Sequence, residues 1–155
     1  MSAMSDVMEN KLIDWFFRGQ AIGITGASAA AGTGPTSLYV GLLTAAPSDA
    51  GGGTEVSGGS YARVTVASSL ANWAGTQSAG STVASSGTGG QTSNNAAIAF
   101  PAPTANWGLI THFGIYDAST AGNLLIWGAL AVSKTVNNGD AAPQFNAAAL
   151  TVTFA

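Results

Sequence analysis

The chain has no cysteine, so disulfide bridges and thiolate metal sites are excluded. It is also poor in charge: Asp, Glu, Lys and Arg make up 7% of its 155 residues, against about 25% in an ordinary soluble domain. Its four cations, Lys11, Arg18, Arg63 and Lys134, are scattered and the formal net charge is −3. Phosphate backbones are held by clustered Lys and Arg, so nucleic acid is not an expected partner. No apolar run approaches the roughly 20 residues that span a bilayer. Asp6, Glu9, Lys11 and Asp14 interrupt the N-terminus before an apolar leader segment forms. Neither a membrane partner nor a secretory leader is therefore read, and cytoplasmic synthesis is expected.

What remains is 46% hydrophobic residues, 21 glycines and long stretches of Ser, Thr, Ala and Asn. Charge ordinarily keeps free monomers soluble and their sheet edges apart. A chain with so little of it is expected to cover much of its surface with protein neighbours.

Residues 5–20 carry the strongest helical signal. Ser5 stands at the N-cap position, with Asp6 and Glu9 in the first turn, where the helix dipole favours negative charge. Met8, Leu12, Trp15 and Phe16 recur at helical spacing, Ile13 and Phe17 widen the stripe, and Asp14 and Arg18 stand four apart. Gly19, Gly23 and Gly26 end the helix, and a Gly/Ala/Ser arm runs on to residue 36.

Beyond residue 36 the period changes to two. Strands are predicted from Ser37 to the stop at Pro47, over Tyr61–Ala67, Ile98–Phe100 and Gly108–Tyr116, and over Leu150–Phe154. Leu124–Val132 is apolar on both faces, which predicts a central or an interface strand. Residues 49–60, 117–122 and Asn137-Asn138-Gly139-Asp140 read as loops and turns. The expected architecture is mostly β: an antiparallel sandwich or barrel-like domain with one N-terminal helix and long Gly/Ser-rich loops. Residues 1–36 form helix and arm, and 37–155 one β domain with a polar loop at about 74–95. That loop has too little apolar surface to offset its own ordering entropy, and a neighbouring subunit is the expected source of order.

Chemistry-bearing constellations are missing. His112 is the single histidine, and no strand–turn–helix nucleophile elbow accompanies it. Asp49, Glu55, Asp117 and Asp140 lie in Gly-rich segments where carboxylates support turns. Gly32-Thr33-Gly34 and Gly51-Gly52-Gly53 lack the Gly-Lys-Ser/Thr of a phosphate loop. No catalytic, cofactor-binding or metal-binding residue is assigned, and no small-molecule substrate is expected. The four tryptophans offer a sugar-binding platform as a minor alternative, a carbohydrate-binding module: Trp15 and Trp127 read as core, whereas Trp73 and Trp107 flank polar loops where exposure is open to them.

Four stretches then look familiar together. They are Asn10-Lys11-Leu12-Ile13-Asp14; Leu38-Tyr39-Val40-Gly41-Leu42-Leu43-Thr44 followed by Ala46-Pro47; Gly52-Gly53-Thr54-Glu55-Val56-Ser57-Gly58-Gly59-Ser60-Tyr61-Ala62-Arg63; and Trp107-Gly108-Leu109-Ile110-Thr111-His112-Phe113-Gly114-Ile115-Tyr116-Asp117 leading into Gly122-Asn123-Leu124-Leu125. In this order they resemble a family of small phage virion structural proteins, described as tail-fibre-like, and the similarity covers most of the chain. The resemblance extends to cement proteins that decorate icosahedral capsids, often as trimers.

It implies no enzymatic activity. It implies a place in the virion, on the capsid surface or alternatively in the tail, after synthesis in the host cytoplasm. The implied partners are the major capsid protein and further copies of the chain. Trp15, Phe16, Phe17, Arg63, Trp73 and Trp107 are the expected partner-interface residues, the aromatic end of the helix acting as a latch and Arg63 as a hydrogen-bonding anchor.

Overall fold

The computed structural model describes residues 4–24 and 34–154. The elements run α1 (Asp6–Phe16), β1 (Ser37–Ala45), β2 (Thr54–Glu55), β3 (Val64–Ala67), β4 (Gln91–Ser93), β5 (Ile98–Ala99), β6 (Gly108–Tyr116), β7 (Leu124–Val136), β8 (Gln144–Phe145) and β9 (Thr151–Thr153). The protein is mostly β, its sheets are antiparallel, and the one described helix lies near the N-terminus. The main sheet does not close into a barrel. Its order is β2-β1-β6-β7, with β3 also on β1, while β4 pairs with β9 and β5 with β8.

Two compact units are formed from interleaved segments: Met1–Ser37, Ala67–Ile98 and Phe145–Ala155 make one, and Leu38–Val66 with Ala99–Gln144 the other. The first holds α1, β4 and β9. Helix α1 starts at Ser5, whose carbonyl accepts from the Met8 and Glu9 amides, though its side chain makes no capping bond. It stops earlier than the periodicity suggests: the Phe17 amide still donates to the Ile13 carbonyl, and Gly19 then adopts a left-handed φ of 66°. Gly26 and most of the arm lie outside the described residues.

Ile13, Phe17, Trp73, Ala74, Leu150 and Val152 form the buried interior of this unit. The Phe17 ring stands 4.9 Å from Trp73 and 6.0 Å from Phe154, centroid to centroid. Burial of such rings is the main favourable term available to a unit otherwise made of Ser, Thr, Gly and Asn.

In the second unit β1, β6 and β7 form an antiparallel meander. Val40 lies opposite Ile115 and Leu42 opposite Phe113 on one face; Gly41 opposite Gly114 and Leu43 opposite His112 lie on the other. Residues 113–116 of β6 are buried on both faces, which explains their unbroken apolar character. Strand β7 continues the first face with Ile126 opposite Ile115 and Gly128 opposite Phe113. It ends the sheet order, so the expectation of a central strand is corrected: β7 is an edge strand.

Candidate assembly surface

The Glu55-to-Arg63 stretch folds into an internal clamp. Gly58, Gly59 and Ser60 all have positive φ, and the turn they make brings Tyr61 back onto β1. At Gly59 a Cβ would lie 2.9 Å from both Ala105 Cβ and Trp107 Nε1, so glycine is required there. Trp107 Nε1 donates to the Gly59 carbonyl at 2.9 Å. The Tyr61 hydroxyl donates to Glu55 Oε1 at 2.8 Å and accepts from the Leu42 amide at 2.9 Å. Its pKa is pushed far up, first by burial and further by Glu55, against the Leu42 amide.

Arg63 grips Glu55 with two charge-assisted bonds, Nε to Oε1 at 2.8 Å and Nη2 to Oε2 at 2.7 Å. Its Nη1 donates to the Ala118 and Ala121 carbonyls at 2.7 Å each. The guanidinium carbon lies 3.4 Å from the Tyr116 ring centroid, a stacked cation–π contact. The Glu55 carboxylate raises the Arg63 pKa further, so the guanidinium stays charged. These bonds tie β2, the segment before β3 and the 117–122 turn to one another. Glu55 lies in β2 rather than in a turn, as the sequence had suggested.

This clamp leaves no room over Gly41, where a Cβ would come within 2.9 Å of Glu55 Oε1 and Tyr61 Oη and 3.0 Å of Tyr116 Cε2. Gly41→Ala is expected to destabilise the protein by about 1–3 kcal/mol, the ordinary cost of overpacking. A denaturant midpoint unchanged from wild type would contradict that.

Asp117 closes the β6–β7 turn. Its Oδ1 accepts from the Asn123 amide and its Oδ2 from Asn123 Nδ2, both at 2.7 Å. The Asn123 side chain, then its amide, hold the Asp117 pKa below the ordinary aspartate value. Because the folded value is depressed, the turn's contribution is present at neutral pH and lost as pH falls through it. An NMR titration should place the Asp117 midpoint below that of an exposed aspartate, and Asn123→Ala should move it upward. An unchanged midpoint in Asn123→Ala would remove Asn123 as the cause.

In the helical unit the polar side chains of α1 organise the 74–95 tract. Arg18 is fully buried. Its Nη1 bonds Asp14 Oδ1 at 2.5 Å, its Nη2 the Val83 carbonyl at 2.6 Å and its Nε the Trp73 carbonyl at 3.1 Å. Asp14 also accepts from the Ser85 amide at 2.9 Å and hydroxyl at 2.6 Å. One turn earlier Asn10 donates to the Gly87 carbonyl at 3.0 Å and accepts from Thr76 Oγ1 at 2.5 Å. Within the chain, these bonds from the helix order the tract. Beside β4, residues 74–79 border a polar groove of about 260 Å³ whose lining contains no aromatic ring.

The six residues expected at a partner interface divide. Phe17 and Trp73 are fully buried and Trp107 is 5% exposed, so all three pack the protein's own interior. Arg63 is committed to the clamp. Trp15 and Phe16 are half-buried. Neither Trp73 nor Trp107 is exposed, because distant segments cover both: Phe17 for Trp73 and Tyr61, at 5.4 Å, for Trp107.

Trp127, read as core, is 39% exposed on β7, its ring 5.9 Å from His112. With it Leu125, Leu109 and Val132 are exposed, Val132 by 81%. Apolarity on both faces of Leu124–Val132 predicts a central or an interface strand, and among the described residues β7 has a paired strand on one side only. Among the described residues no group of His, Asp or Glu is placed to hold a metal ion, and no helix is long and apolar enough to cross a membrane.

The sequence profile of one protein family, described as Podophage GP4 fiber I protein gp80, matches residues 3–153. A search of curated proteins finds no match.

Proposed function

We propose that this chain, which belongs to the Podophage GP4 fiber I protein gp80 family, is built into the phage particle as a non-enzymatic subunit of a fibre. The family makes it a small structural protein of a bacteriophage virion. The fibre position is the proposal, and the family description, which holds across residues 3–153, carries it.

The physical character of the chain is in keeping with that reading. Charge at 7% and an exposed apolar edge strand suit a subunit whose surface is covered in an assembly. Side chains able to do chemistry are spent internally instead: Glu55, Tyr61 and Arg63 on one another, Asp14 and Arg18 on the 74–95 tract.

A capsid cement protein bridging major capsid subunits is the second reading, favoured by the same scarcity of charge and by the sequence resemblance. Trp15 and Phe16, half-buried at the end of α1, are the side chains offered to a neighbouring subunit in either case. Alanine at both should lower incorporation into particles, and unchanged incorporation would remove the latch. Gold-labelled antibody on purified particles tests the position directly. Label on the fibres supports the proposal, and label spread over the shell replaces it with the cement reading.

A further inference from the structure

The two-stranded sheet of the helical unit has two chemically different faces. Side chains alternate across a strand. Thr92 and Val152, opposite one another, are both buried on one face. Gln91 and Ser93 therefore share the other face with their partners on β9, Thr153 and Thr151. Residues 74–79 border this second face, and the space between is the polar groove of about 260 Å³. Its side chains are alanine, serine, threonine and glutamine; none is charged and none is aromatic.

Ser93 shows what the groove lacks. It is 5% exposed, yet among the described residues its hydroxyl has no hydrogen-bond partner, whereas the neighbouring Thr92 hydroxyl donates to the Ala74 carbonyl at 2.7 Å. The Ser93 oxygen is not sealed inside the protein, as the Trp73 indole nitrogen is; it opens into the groove that Ser93 lines. A buried hydroxyl without a partner is costly, and a ligand that supplies one recovers that cost. The Thr151 and Ser78 hydroxyls also line the groove and are unpaired among the described residues. So is the side-chain carbonyl of Gln91, whose amide donates to Thr153 at 3.3 Å.

The lining decides the class of occupant. An anion finds no cation here, and a metal ion finds no carboxylate. An apolar molecule would strip these hydroxyls of water and return nothing. An added peptide strand needs a free sheet edge, and β4 has none. Strand β9 takes one side; on the other, the Ala74 amide donates to the Ser93 carbonyl at 2.8 Å and Trp73 bridges to Asn94. A neutral molecule carrying several hydroxyls satisfies every wall.

We infer that this groove binds a single neutral sugar ring, its hydroxyls pairing with Ser93, Thr151 and Gln91. The volume lies just below the roughly 300–1,000 Å³ of ordinary ligand sites, which suits one ring rather than an enclosed chain. The far wall is set in advance: Gln77 Nε2 donates to Ser81 Oγ at 2.6 Å, and its Oε1 accepts from the Ser86 amide at 3.3 Å. Little ordering is then left to the ligand. No tryptophan lines the site, unlike the platform that the sequence offered. Binding rests on hydrogen bonds alone and is weak, with a dissociation constant of about a millimolar. The groove belongs to the folded chain and does not depend on the fibre position.

Amide shifts of the isotope-labelled full chain test this, with D-glucose, D-galactose and N-acetyl-D-glucosamine as probes. At least one should move the amides of residues 74–79 and 91–93 saturably and leave β1 and β6 in place. Ser93→Ala and Thr151→Val each remove one hydroxyl and should weaken binding about two- to tenfold, the worth of one hydrogen bond. Position 151 is exposed, so its variant keeps the test open should the buried Ser93→Ala not fold. Thr65→Val, on β3 in the other unit, should bind as wild type. Inorganic phosphate and D-glucuronate should bind more weakly than the neutral sugars. No saturable shift from any of the three sugars up to about 100 mM, a hundred times the expected constant, would overturn the site. Wild-type affinity in both hydroxyl variants, or tighter binding of either anion, would overturn it as well.

Discussion

Replacing Arg18 with methionine should destabilise the helical unit by about 3–5 kcal/mol, the usual cost of leaving one member of a buried ion pair uncompensated. The side chain is fully buried, and its donors reach the Asp14 carboxylate, the Ser85 hydroxyl and the Val83 and Trp73 carbonyls. Methionine fills similar space but leaves the 12%-exposed Asp14 side chain without its counter-charge, and leaves two carbonyls without donors.

The loss should be local. The 76–87 stretch has little apolar surface of its own and is held by hydrogen bonds to α1. Amide hydrogen exchange in this stretch should therefore rise far more than in β1 or β6. Asp14→Leu combined with Arg18→Met should cost less than the two changes summed, since no lone charge remains buried. Protection of residues 76–87 retained in Arg18→Met would show that the tract is ordered by something other than the helix.

The second large effect separates tryptophans that the sequence cannot tell apart. Trp73→Ala and Phe17→Ala each remove a fully buried ring from the same cluster. Each should cost about 3–5 kcal/mol, as large-to-small changes in a packed interior do. Because the rings touch, the double change should cost less than the sum. Trp127→Ala, at a 39%-exposed edge position, should move stability by no more than about 0.5 kcal/mol, the range for surface sites. Thermal unfolding of the three variants decides it. A Trp127→Ala loss as large as that of Trp73→Ala would mean that β7 is covered within the chain itself.

Much of this was legible in sequence because it rests on local periodicity. Alternation in Ser37–Ala45 and Gly108–Tyr116 predicts β1 and β6, and the helical stripe with its Asp and Glu first turn predicts α1. The Asp117 and Asn137–Asp140 turns follow from Asx chemistry, and the Asp140 carboxylate does accept from the Asn137 amide, at 2.8 Å.

What could not be read depends on partners far along the chain. Strand β4, Gln91–Ser93, has no apolar alternation, and it exists because β9 pairs with it and Thr92 bonds the Ala74 carbonyl at 2.7 Å. The Tyr61–Ala67 strand begins only at Val64, because Tyr61 is drawn into the clamp by Glu55. Burial of Trp73 under Phe17 joins residues that lie 56 positions apart, with polar loops around one of them. Asp14 and Arg18, by contrast, left a visible trace. Their spacing signals an ion pair, but spacing alone does not say that the pair is buried and holds a loop.

As proposed, the chain is a structural component of the particle, placed in its fibres. Quantitative mass spectrometry of purified virions, measured against the major capsid protein, tests it most directly. The chain should be retained through purification at a small fraction of the capsid protein's copy number. A copy number equal to that of the capsid protein would contradict the fibre position, and absence from the particle would contradict the structural role itself.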